Sequence, residues 1–315
     1  MTAPAIVLDQ VTKRFAGHTA VDRLSLTIPD GAVYGLLGPN GAGKTTTIRM
    51  IMRILLPDEG RILLFGRDAS RDLAHLLGYL PEERGLYRRM RVRDLLEFLS
   101  EAKGIKRSSA RVQASKWLRR MGLEEWQNRR VEELSRGMQQ KVQFIGTVLH
   151  EPRLVVLDEA FAGIDPVNAM ALKDIMLELK AEGTTILFST HVMEHAEKLC
   201  DFVCIITGGR KVVDGALSEV KRGHGGRHVI LELEGAIARQ PLLRDPSVVI
   251  RGNDYGTYAE LELAPGVSPS DLLARLVGAG ARVNRFEAAE PTLHAVFVDL
   301  VGRDGAREPQ VDVEA

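Results

Sequence analysis

The sequence predicts an α/β protein with a helical insert and a small C-terminal α+β domain, and three observations predict this fold class. From the start of the chain to about residue 215, short apolar runs alternate with helical stretches, as in a sheet covered by helices. Between RILLFGR and RLVVLDE, apolar residues recur at intervals of three and four, which favours helices. After residue 215, alternating strands follow a glycine-rich linker.

The elements of the first domain follow from the period of its apolar residues. AIVLDQVTKRF and LSLTIPD alternate as half-buried strands do, whereas VYGLLG, RLVVLDE, TTILFST and FVCIIT are continuous apolar runs. Such runs are typical of central strands buried on both faces. DLLEFLSEAKGI and ARVQASKWLRRMGL predict helices of the insert. We expect the domain to cover residues 1–220, with the helical insert at about 84–150.

The C-terminal part begins with KRGHGGRH, which we interpret as a linker at residues 221–228. HVILELE, YAELELA and RVNRFEA predict strands, and Ser268 with Pro269 is a typical helix start. PTLHAVFVDLVG predicts a last helix with one apolar face. These elements predict an α+β module at residues 229–302. The tail at 303–315 has few large apolar groups, so we expect it to be disordered.

Composition excludes several classes of protein. The 315 residues include 42 basic and 42 acidic side chains, so the chain lacks the basic excess of a nucleic-acid-binding protein. No apolar run approaches the roughly 20 residues of a membrane helix, and MTAPAIVLDQ does not resemble a signal peptide. We therefore expect a cytosolic protein. Cys200 and Cys204 have apolar neighbours and no metal-site spacing, which predicts plain core residues.

The segment GPNGAGKTT matches the phosphate-binding pattern G-x-x-x-x-G-K-[ST] and lies between an apolar strand and a helix. Its backbone N–H groups can curl around a polyphosphate, and the next helix presents its positive end. The chemistry assigns Lys44 to the β and γ phosphates and the Thr45 hydroxyl to Mg²⁺. The nucleotide-binding residues predicted here are Gly38, Pro39, Asn40, Gly41, Ala42, Gly43, Lys44, Thr45 and Thr46.

An acidic pair ends the apolar strand RLVVLDE. A parallel sheet would bring Asp158 and Glu159 to the same edge as the phosphate-binding loop. Asp158 can then hold Mg²⁺ through water, while Glu159 can polarise the attacking water as general base. The loop and the acidic pair together predict an enzyme that binds and hydrolyses a nucleoside triphosphate.

With these motifs in order, residues 4 to 220 resemble the ATP-binding subunit of ABC transporters. LSRGMQQ is similar to the family signature LSGGQ, which separates ABC proteins from other phosphate-loop enzymes. The resemblance implies that Ser135, at a helix start, and the Gly137 backbone face the γ phosphate of an ATP held by a second subunit. Two chains, identical copies in the simplest case, would then enclose two ATP molecules with Mg²⁺. A serine that only caps its helix is the alternative interpretation.

The resemblance implies four further positions. Phe15 corresponds to an aromatic ring that stacks on adenine, although a core phenylalanine is the alternative. His191 corresponds to a histidine that contacts the γ phosphate, and Asp165 to a loop through which the subunits sense each other's sites. Glu82, where the family has glutamine, is expected near Mg²⁺ and water.

Three departures from the family pattern remain. Glu82 carries a charge where glutamine is usual, and the signature has Arg136 for glycine and Met138 for glutamine. Ala160 replaces a proline after the predicted base, which leaves that turn with one more free dihedral. None of the three removes a group that the chemistry itself requires.

PEERGLYRRMRVRDLLEFL and PTLHAVFVDLVG resemble the exporter branch with ABC-2 type permeases, which includes sodium-efflux and drug-resistance subunits. The resemblance implies a separate integral membrane permease as partner, no nucleic acid, and a place on the inner face of the cell membrane through that permease. The alternative is a soluble ABC ATPase acting on ribosomes or DNA. The single phosphate-binding loop, the lack of heptads and the neutral charge oppose it. For the C-terminal module, dimer stabilisation and regulation both remain open.

Overall fold

The structure is a computed structural model, and it describes residues 3–83, 85–161, 164–223, 227–234 and 241–305. It divides into two compact units, Met1–Ala216 and Leu217–Ala315. The strands are β1 (Ile6–Phe15), β2 (His18–Ile28), β3 (Val33–Leu37), β4 (Glu59–Leu64), β5 (Arg67–Asp68), β6 (Leu77–Leu80), β7 (Leu154–Asp158), β8 (Thr185–Thr190), β9 (Phe202–Thr207), β10 (Arg210–Ala216), β11 (His228–Leu233), β12 (Val249–Asp254), β13 (Ala259–Leu263) and β14 (Val283–Ala289).

The helices complete the two units. They are α1 (Lys44–Ile51), α2 (Val92–Ala102), α3 (Arg107–Arg120), α4 (Arg136–Val148), α5 (Pro166–Ala181), α6 (Met193–Leu199), α7 (Leu217–Gly223), α8 (Pro269–Gly278) and α9 (Leu293–Gly305). Short 3₁₀ helices lie at Arg71–Leu76, Glu124–Trp126, Val131–Glu133 and Pro241–Arg244. No helix in the described ranges is long and apolar enough to span a membrane.

A six-stranded sheet forms the centre of the first unit, in the order β10-β9-β3-β8-β7-β6. All neighbours are parallel except β10, which runs antiparallel to β9. Strands β3, β7 and β8 are buried at every position, as their continuous apolar runs predict. Because they are parallel, the loop after β3, Asp158 at the end of β7 and His191 after β8 follow the same edge of the sheet.

A second sheet of the first unit is antiparallel, in the order β2-β1-β4-β5. Its apolar side chains share one core cluster with residues of the central sheet and of α1. Gln10 and Arg23 have positive φ values, 52° and 45°, beside register shifts between β1 and β2. These irregularities bend the paired strands β1 and β2. Strand β1 ends at Phe15.

The helical subdomain consists of α2, α3 and α4 and confirms the helical character predicted from the spacing of apolar residues. Trp117 of α3 packs edge-on against Phe144 of α4 with ring centroids 6.5 Å apart. Glu97 of α2 is buried and accepts hydrogen bonds from Arg107 and Arg111 of α3 at 3.0 and 2.9 Å. Apolar packing and this ion-pair network therefore join the three helices.

The second unit is built on an antiparallel sheet in the order β12-β13-β11-β14. Its buried face includes Leu231 and Leu261, which share a core with Leu272 and Leu276 of α8. Ser268 caps α8 as predicted, because its hydroxyl accepts a hydrogen bond from the Asp271 N–H at 3.1 Å. Strand β12 was not predicted, since VIRGND contains a glycine and three polar residues and lacks an alternating pattern.

The predicted domain limits need correction at two places. Helix α7 extends to Gly223, so the linker predicted at 221–228 begins inside a helix, and His228 already belongs to β11. The reason is that LSEVKRG completes a helix around the buried Val220. Similarly, α9 continues to Gly305, inside the tail predicted to be disordered. Residues 224–226 and 306–315, also part of the linker and tail predictions, lie outside the described residues.

Candidate functional site

The loop after β3 has the backbone of a phosphate-binding loop. Gly43 has φ 101° and precedes α1, and a Cβ there would lie 2.4 Å from the Ala20 carbonyl oxygen. At Gly38, a Cβ would lie 2.3 Å from the Ile206 carbonyl oxygen. Both positions therefore require glycine. The loop leads directly into α1, whose free N–H groups form an anion-binding end.

Lys44 is nearly fully buried and lies within this loop. Its Nζ donates hydrogen bonds to the carbonyl oxygens of Gly38 at 2.8 Å and Pro39 at 3.2 Å. The same Nζ lies 3.3 Å from Glu159 Oε1 in an ion pair. The ammonium group thus stands between the loop carbonyls and the acidic pair, where it can exchange these acceptors for phosphate oxygens.

Asp158 ends β7 and is buried beside Thr45. The Thr45 hydroxyl donates to Asp158 Oδ1 at 3.2 Å, and the Ser189 hydroxyl donates to the same oxygen at 2.6 Å. Burial raises the pKa of Asp158 above its ordinary value, although these two hydrogen bonds oppose the shift. Asp158 Oδ2 is buried without a hydrogen-bond partner among the described residues. A hydroxyl and a desolvated carboxylate are hard oxygen donors, so the pair fits Mg²⁺.

Glu159 is buried and has φ 48°, the left-handed region that non-glycine residues rarely adopt. Its N–H donates to Ser189 Oγ at 3.0 Å. Its Oε2 lies 3.0 Å from Nδ1 of His191, which is 47% exposed. Glu159 thus lies between Lys44 and His191, and the structure brings these three predicted catalytic residues together.

A cleft of about 500 Å³ opens over the loop. The ring of Phe15, 47% exposed, lines it, so the alternative of a core phenylalanine is wrong. Glu82 is exposed and also lines the cleft, and Glu159, which is buried, lines it as well. The other lining residues are His18, Ala20, Asn40, Gly41, Ala42, Gly43, Lys44, Thr45 and Thr46.

The signature residues form a second group, at the N-terminal ends of two helices. Ser135 caps α4, and its hydroxyl accepts a hydrogen bond from the Met138 N–H at 3.3 Å. Asp165 caps α5, where Oδ1 accepts from the Asn168 N–H at 3.0 Å. A Cβ at Gly137 would lie 3.3 Å from Asn168 Nδ2. Neither Ser135, Gly137 nor Asp165 lines the cleft formed by the described residues.

Two polar residues of this region were missed from the sequence. Ser189 joins Asp158 to the backbone of Glu159, and Gln140 donates to the Ala160 carbonyl oxygen at 2.9 Å. The position of Ser189, two residues before His191 on a strand ending at the site, was an available signal. The contact of Gln140 has no sequence signal, because it depends on how α4 lies against the turn after β7.

Comparisons with known proteins agree with this geometry. The family model described as ABC transporter matches residues 21–162, and a second one, described as ATP-binding protein DrrA1-3-like, C-terminal domain, matches residues 215–301. ABC transporter ATP-binding protein YhaQ of Bacillus subtilis is 42% identical over 94% of this chain and 98% of its own length. Nod factor export ATP-binding protein I of Burkholderia orbicola is 32% identical over 96% and 99%. A solved structure, "Structure of ATP binding subunit of ABC transporter", has a TM-score of 0.66 at 30% identity and covers 70% of this chain and 93% of that one.

The fold and the loop define a phosphate-loop ATPase, and the signature helix narrows that class. The chain belongs to the ATP-binding subunits of ABC transporters and carries the C-terminal domain of the DrrA-like branch. The α/β core, the accessory module and the ATPase activity predicted from the sequence are confirmed. The comparisons give no support to an ABC ATPase acting on ribosomes or DNA.

Proposed function

We propose that two copies of this chain enclose two ATP–Mg²⁺ complexes and drive an exporter of the ABC-2 type. The observation that carries this proposal is the separation of the site residues into two groups. One group surrounds the cleft over the loop, whereas Ser135, Gly137 and Asp165 stand outside that cleft. A second copy, placed head to tail, would supply the missing group to each cleft.

The first group is suited to hold and activate the nucleotide. Phe15 offers an exposed ring to adenine. Lys44 would leave the carbonyl oxygens of Gly38 and Pro39 for the β and γ phosphates. Thr45 and Asp158, with Glu82 at the cleft wall, would hold Mg²⁺, which neutralises the phosphate charge when bound.

The hydrolytic step belongs to Glu159 and His191 in this proposal. Glu159 accepts a proton from the attacking water, which adds to the γ phosphorus as the bond to the β–γ bridging oxygen breaks. His191, 3.0 Å from Glu159, orients the carboxylate and can donate to a γ-phosphate oxygen. After hydrolysis, the separate ADP and phosphate no longer bridge the two copies, so the contacts that hold the copies together are lost.

The second group is suited to recognise the γ phosphate across the dimer. The N-terminal end of α4 offers N–H groups besides that of Met138, which Ser135 accepts, and Gly137 adds no side chain there. Arg136, in place of a glycine, adds a positive charge at this end. We propose that Asp165 meets the partner copy beside the same phosphate.

A groove beside the helical subdomain supports an integral membrane permease as partner. This groove of about 480 Å³ lies between the side of α1 and β4, with Ile51 and Leu64, and the side of α2 and α4, with Leu99 and Gly146. Its lining is mostly apolar, as a helical segment of a partner requires. Pro81 borders the groove, and the next residue, Glu82, lines the ATP cleft. A partner segment bound in the groove would therefore contact a residue adjacent to the cleft. The chain would then lie at the inner face of the membrane, and the relative named for Nod factor export supports outward transport.

Complementation between two inactive variants tests the shared site. Lys44→Ala disables the first group, around the cleft, and Ser135→Arg disables the second group, at the start of α4. Each homodimer should therefore hydrolyse ATP at least about a hundredfold more slowly. A mixed dimer of the two retains one intact site. Co-expression with two different tags should therefore restore activity in the doubly purified fraction. Glu182→Gln, at the exposed residue that follows α5, serves as a control with normal activity. A doubly purified mixed dimer without activity would disprove the shared site.

The permease is tested by purifying the Glu159→Gln variant with ATP from solubilised membranes. General-base loss should reduce turnover by about 10²–10⁴-fold and trap the closed dimer on its partner. Recovery of an integral membrane protein, lost when Leu99→Glu is placed in the groove, supports the proposal. Recovery of ribosomes without a membrane protein contradicts it.

A further inference from the structure

We infer that Gln140 is a positioning residue that links the signature helix α4 to the turn carrying Glu159. The inference rests on the proposed function, in which Glu159 is the general base. Its Nε2 donates to the Ala160 carbonyl oxygen at 2.9 Å. Because a carbonyl oxygen can only accept, the amide nitrogen of Gln140 must be the atom that faces the turn.

The turn needs such a contact because Glu159 has an unfavourable backbone conformation. Its φ of 48° is sparsely populated for a residue with a side chain, so neighbouring contacts must hold it. On the N-terminal side, the Glu159 N–H donates to Ser189. On the C-terminal side, Ala160 lacks the fixed φ of a proline, and the contact from Gln140 supplies the constraint.

The second amide atom of Gln140 faces the same region. Oε1 is buried without a hydrogen-bond partner among the described residues. Gln140 also lines a small cavity of about 40 Å³ together with Glu82, Asp158 and Glu159. That volume is sufficient for one water molecule, which could donate to Oε1. A neutral amide therefore suits this place, whereas a carboxylate would add a further negative charge beside three others.

The position of Gln140 on α4 gives the contact a second consequence. Ser135 and Gly137 begin this helix, and Gln140 lies one turn further along it. In a two-copy enzyme, the start of α4 meets the ATP of the other site, while Glu159 acts on the ATP of its own chain. Gln140 thus provides a direct mechanical connection between the two sites of the dimer.

Three variants of the full chain test this role. Gln140→Ala removes both polar groups, Gln140→Met removes them at nearly constant volume, and Gln140→Glu replaces the donor with a charge. All three should lower kcat by roughly ten- to a hundredfold, because the base is no longer held in place. The KM for ATP should change by less than about twofold, since no group that binds the nucleotide is lost. The Hill coefficient for ATP should fall toward one.

Gln113→Ala is the matched control, because Gln113 also donates a hydrogen bond from the helical subdomain, but from the middle of α3 and to Glu151, at 3.2 Å. It should keep both kcat and the Hill coefficient. The decisive measurement is the residual rate of Glu159→Gln with and without Gln140→Met. If Gln140 acts through Glu159, the second substitution should change that rate by less than about twofold.

The outcomes separate this inference from the proposed function. If Glu159→Gln is inactive but Gln140→Met turns over at the normal rate and cooperativity, the positioning role is wrong and the general base stands. If Glu159→Gln keeps the normal rate, the proposed function itself fails. A loss in Gln140→Met that appears only as a raised KM, or that multiplies with the loss in Glu159→Gln, also overturns the inference.

Discussion

Glu159 Oε2 lies 3.0 Å from His191 Nδ1, while the other oxygen of the same carboxylate lies 3.3 Å from Lys44 Nζ. The carboxylate therefore has a partner on each side. Lys44 is the partner that phosphate oxygens would attract away, because their charge exceeds that of one carboxylate. After that exchange, His191 would be the remaining partner of the Glu159 carboxylate among the described residues.

His191→Ala should therefore reduce kcat more than ATP affinity. We expect a decrease in kcat of about 10²-fold, typical of a removed group that acts in the transition state, with the KM for ATP within about twofold. Steady-state hydrolysis and equilibrium nucleotide binding check the two parts separately. His294→Ala, an exposed histidine of α9, should be unaffected. A large loss of affinity in His191→Ala would assign His191 to binding instead.

The parts of the site that could be predicted from the sequence are residues that are contiguous in the chain or that directly follow a buried strand. The loop residues are contiguous, and Asp158 and His191 follow buried apolar strands, so a parallel sheet places them at one edge. Contacts between distant segments could not be predicted. The bonds from Ser189 to the acidic pair and from Gln140 to Ala160 depend on the packing of β8 and α4, which no local pattern specifies.

Local patterns also failed where strands have no buried face of their own. β10 and β12 lie at sheet edges, and most of their residues are exposed or half-buried, so neither has a clear period. In the loop after β4, Phe65 and Gly66 both have positive φ and turn the chain into the two-residue strand β5. Such short edge strands are defined by their partner and not by their own sequence.

Asp158→Asn should stabilise the nucleotide-free protein at neutral pH. Burial raises the pKa of Asp158, so the folded state binds the proton more tightly than the unfolded chain does. The free energy of unfolding therefore falls as pH rises from the ordinary pKa of an aspartate toward the raised pKa of Asp158. Removing that charge should raise the melting temperature by about 2–4 °C at pH 7, the shift expected for roughly 1 kcal/mol.

The measurement is thermal unfolding without nucleotide from pH 7 down to about pH 3, below the ordinary pKa of an aspartate, where the carboxyl group is protonated in both the folded and the unfolded state and the difference should vanish. Thr45→Ser keeps a hydroxyl beside Asp158 and should show little change. A melting temperature lowered by Asp158→Asn at pH 7 would mean that hydrogen bonds to the carboxylate outweigh its desolvation. Stimulation of hydrolysis by Mg²⁺ should be lost in the same variant.

Glu97→Gln should destabilise the helical subdomain at neutral pH. Burial opposes the ionisation of Glu97, but hydrogen bonds from Arg111 and Arg107 outweigh it and hold the pKa of Glu97 below its ordinary value. The stabilisation by ionised Glu97 is therefore complete above the pKa that Glu97 has in the unfolded chain. It is lost as pH falls through the lower pKa of Glu97 in the folded state. Because both arginines are more than half exposed, we expect only about 1–2 kcal/mol at pH 7.

Urea unfolding of Glu97→Gln at pH 7 and at about pH 3 checks the size and the sign of this effect. Glu101→Gln, whose exposed carboxylate lies 3.5 Å from Arg107, should lose less than about 0.5 kcal/mol. A loss for Glu97→Gln that is the same at both pH values would show that packing, and not charge, is responsible.

Deletion of residues 217–315 should leave a folded ATP-binding unit. The residues lining the ATP cleft all lie in Met1–Ala216, which has its own apolar core, and the second unit has a separate one. The affinity for ATP should therefore stay within about twofold of that of the full chain.

The hydrolysis rate of the truncated chain, measured over a wide range of protein concentrations, then reports what the C-terminal module does. The proposed shared site would form only when two copies meet. If the module stabilises that dimer, its deletion should raise the protein concentration needed for hydrolysis and leave the rate at saturation unchanged. A regulatory module would change the saturated rate itself. An aggregated truncated chain, or one unable to bind ATP, would contradict the independence of the two units.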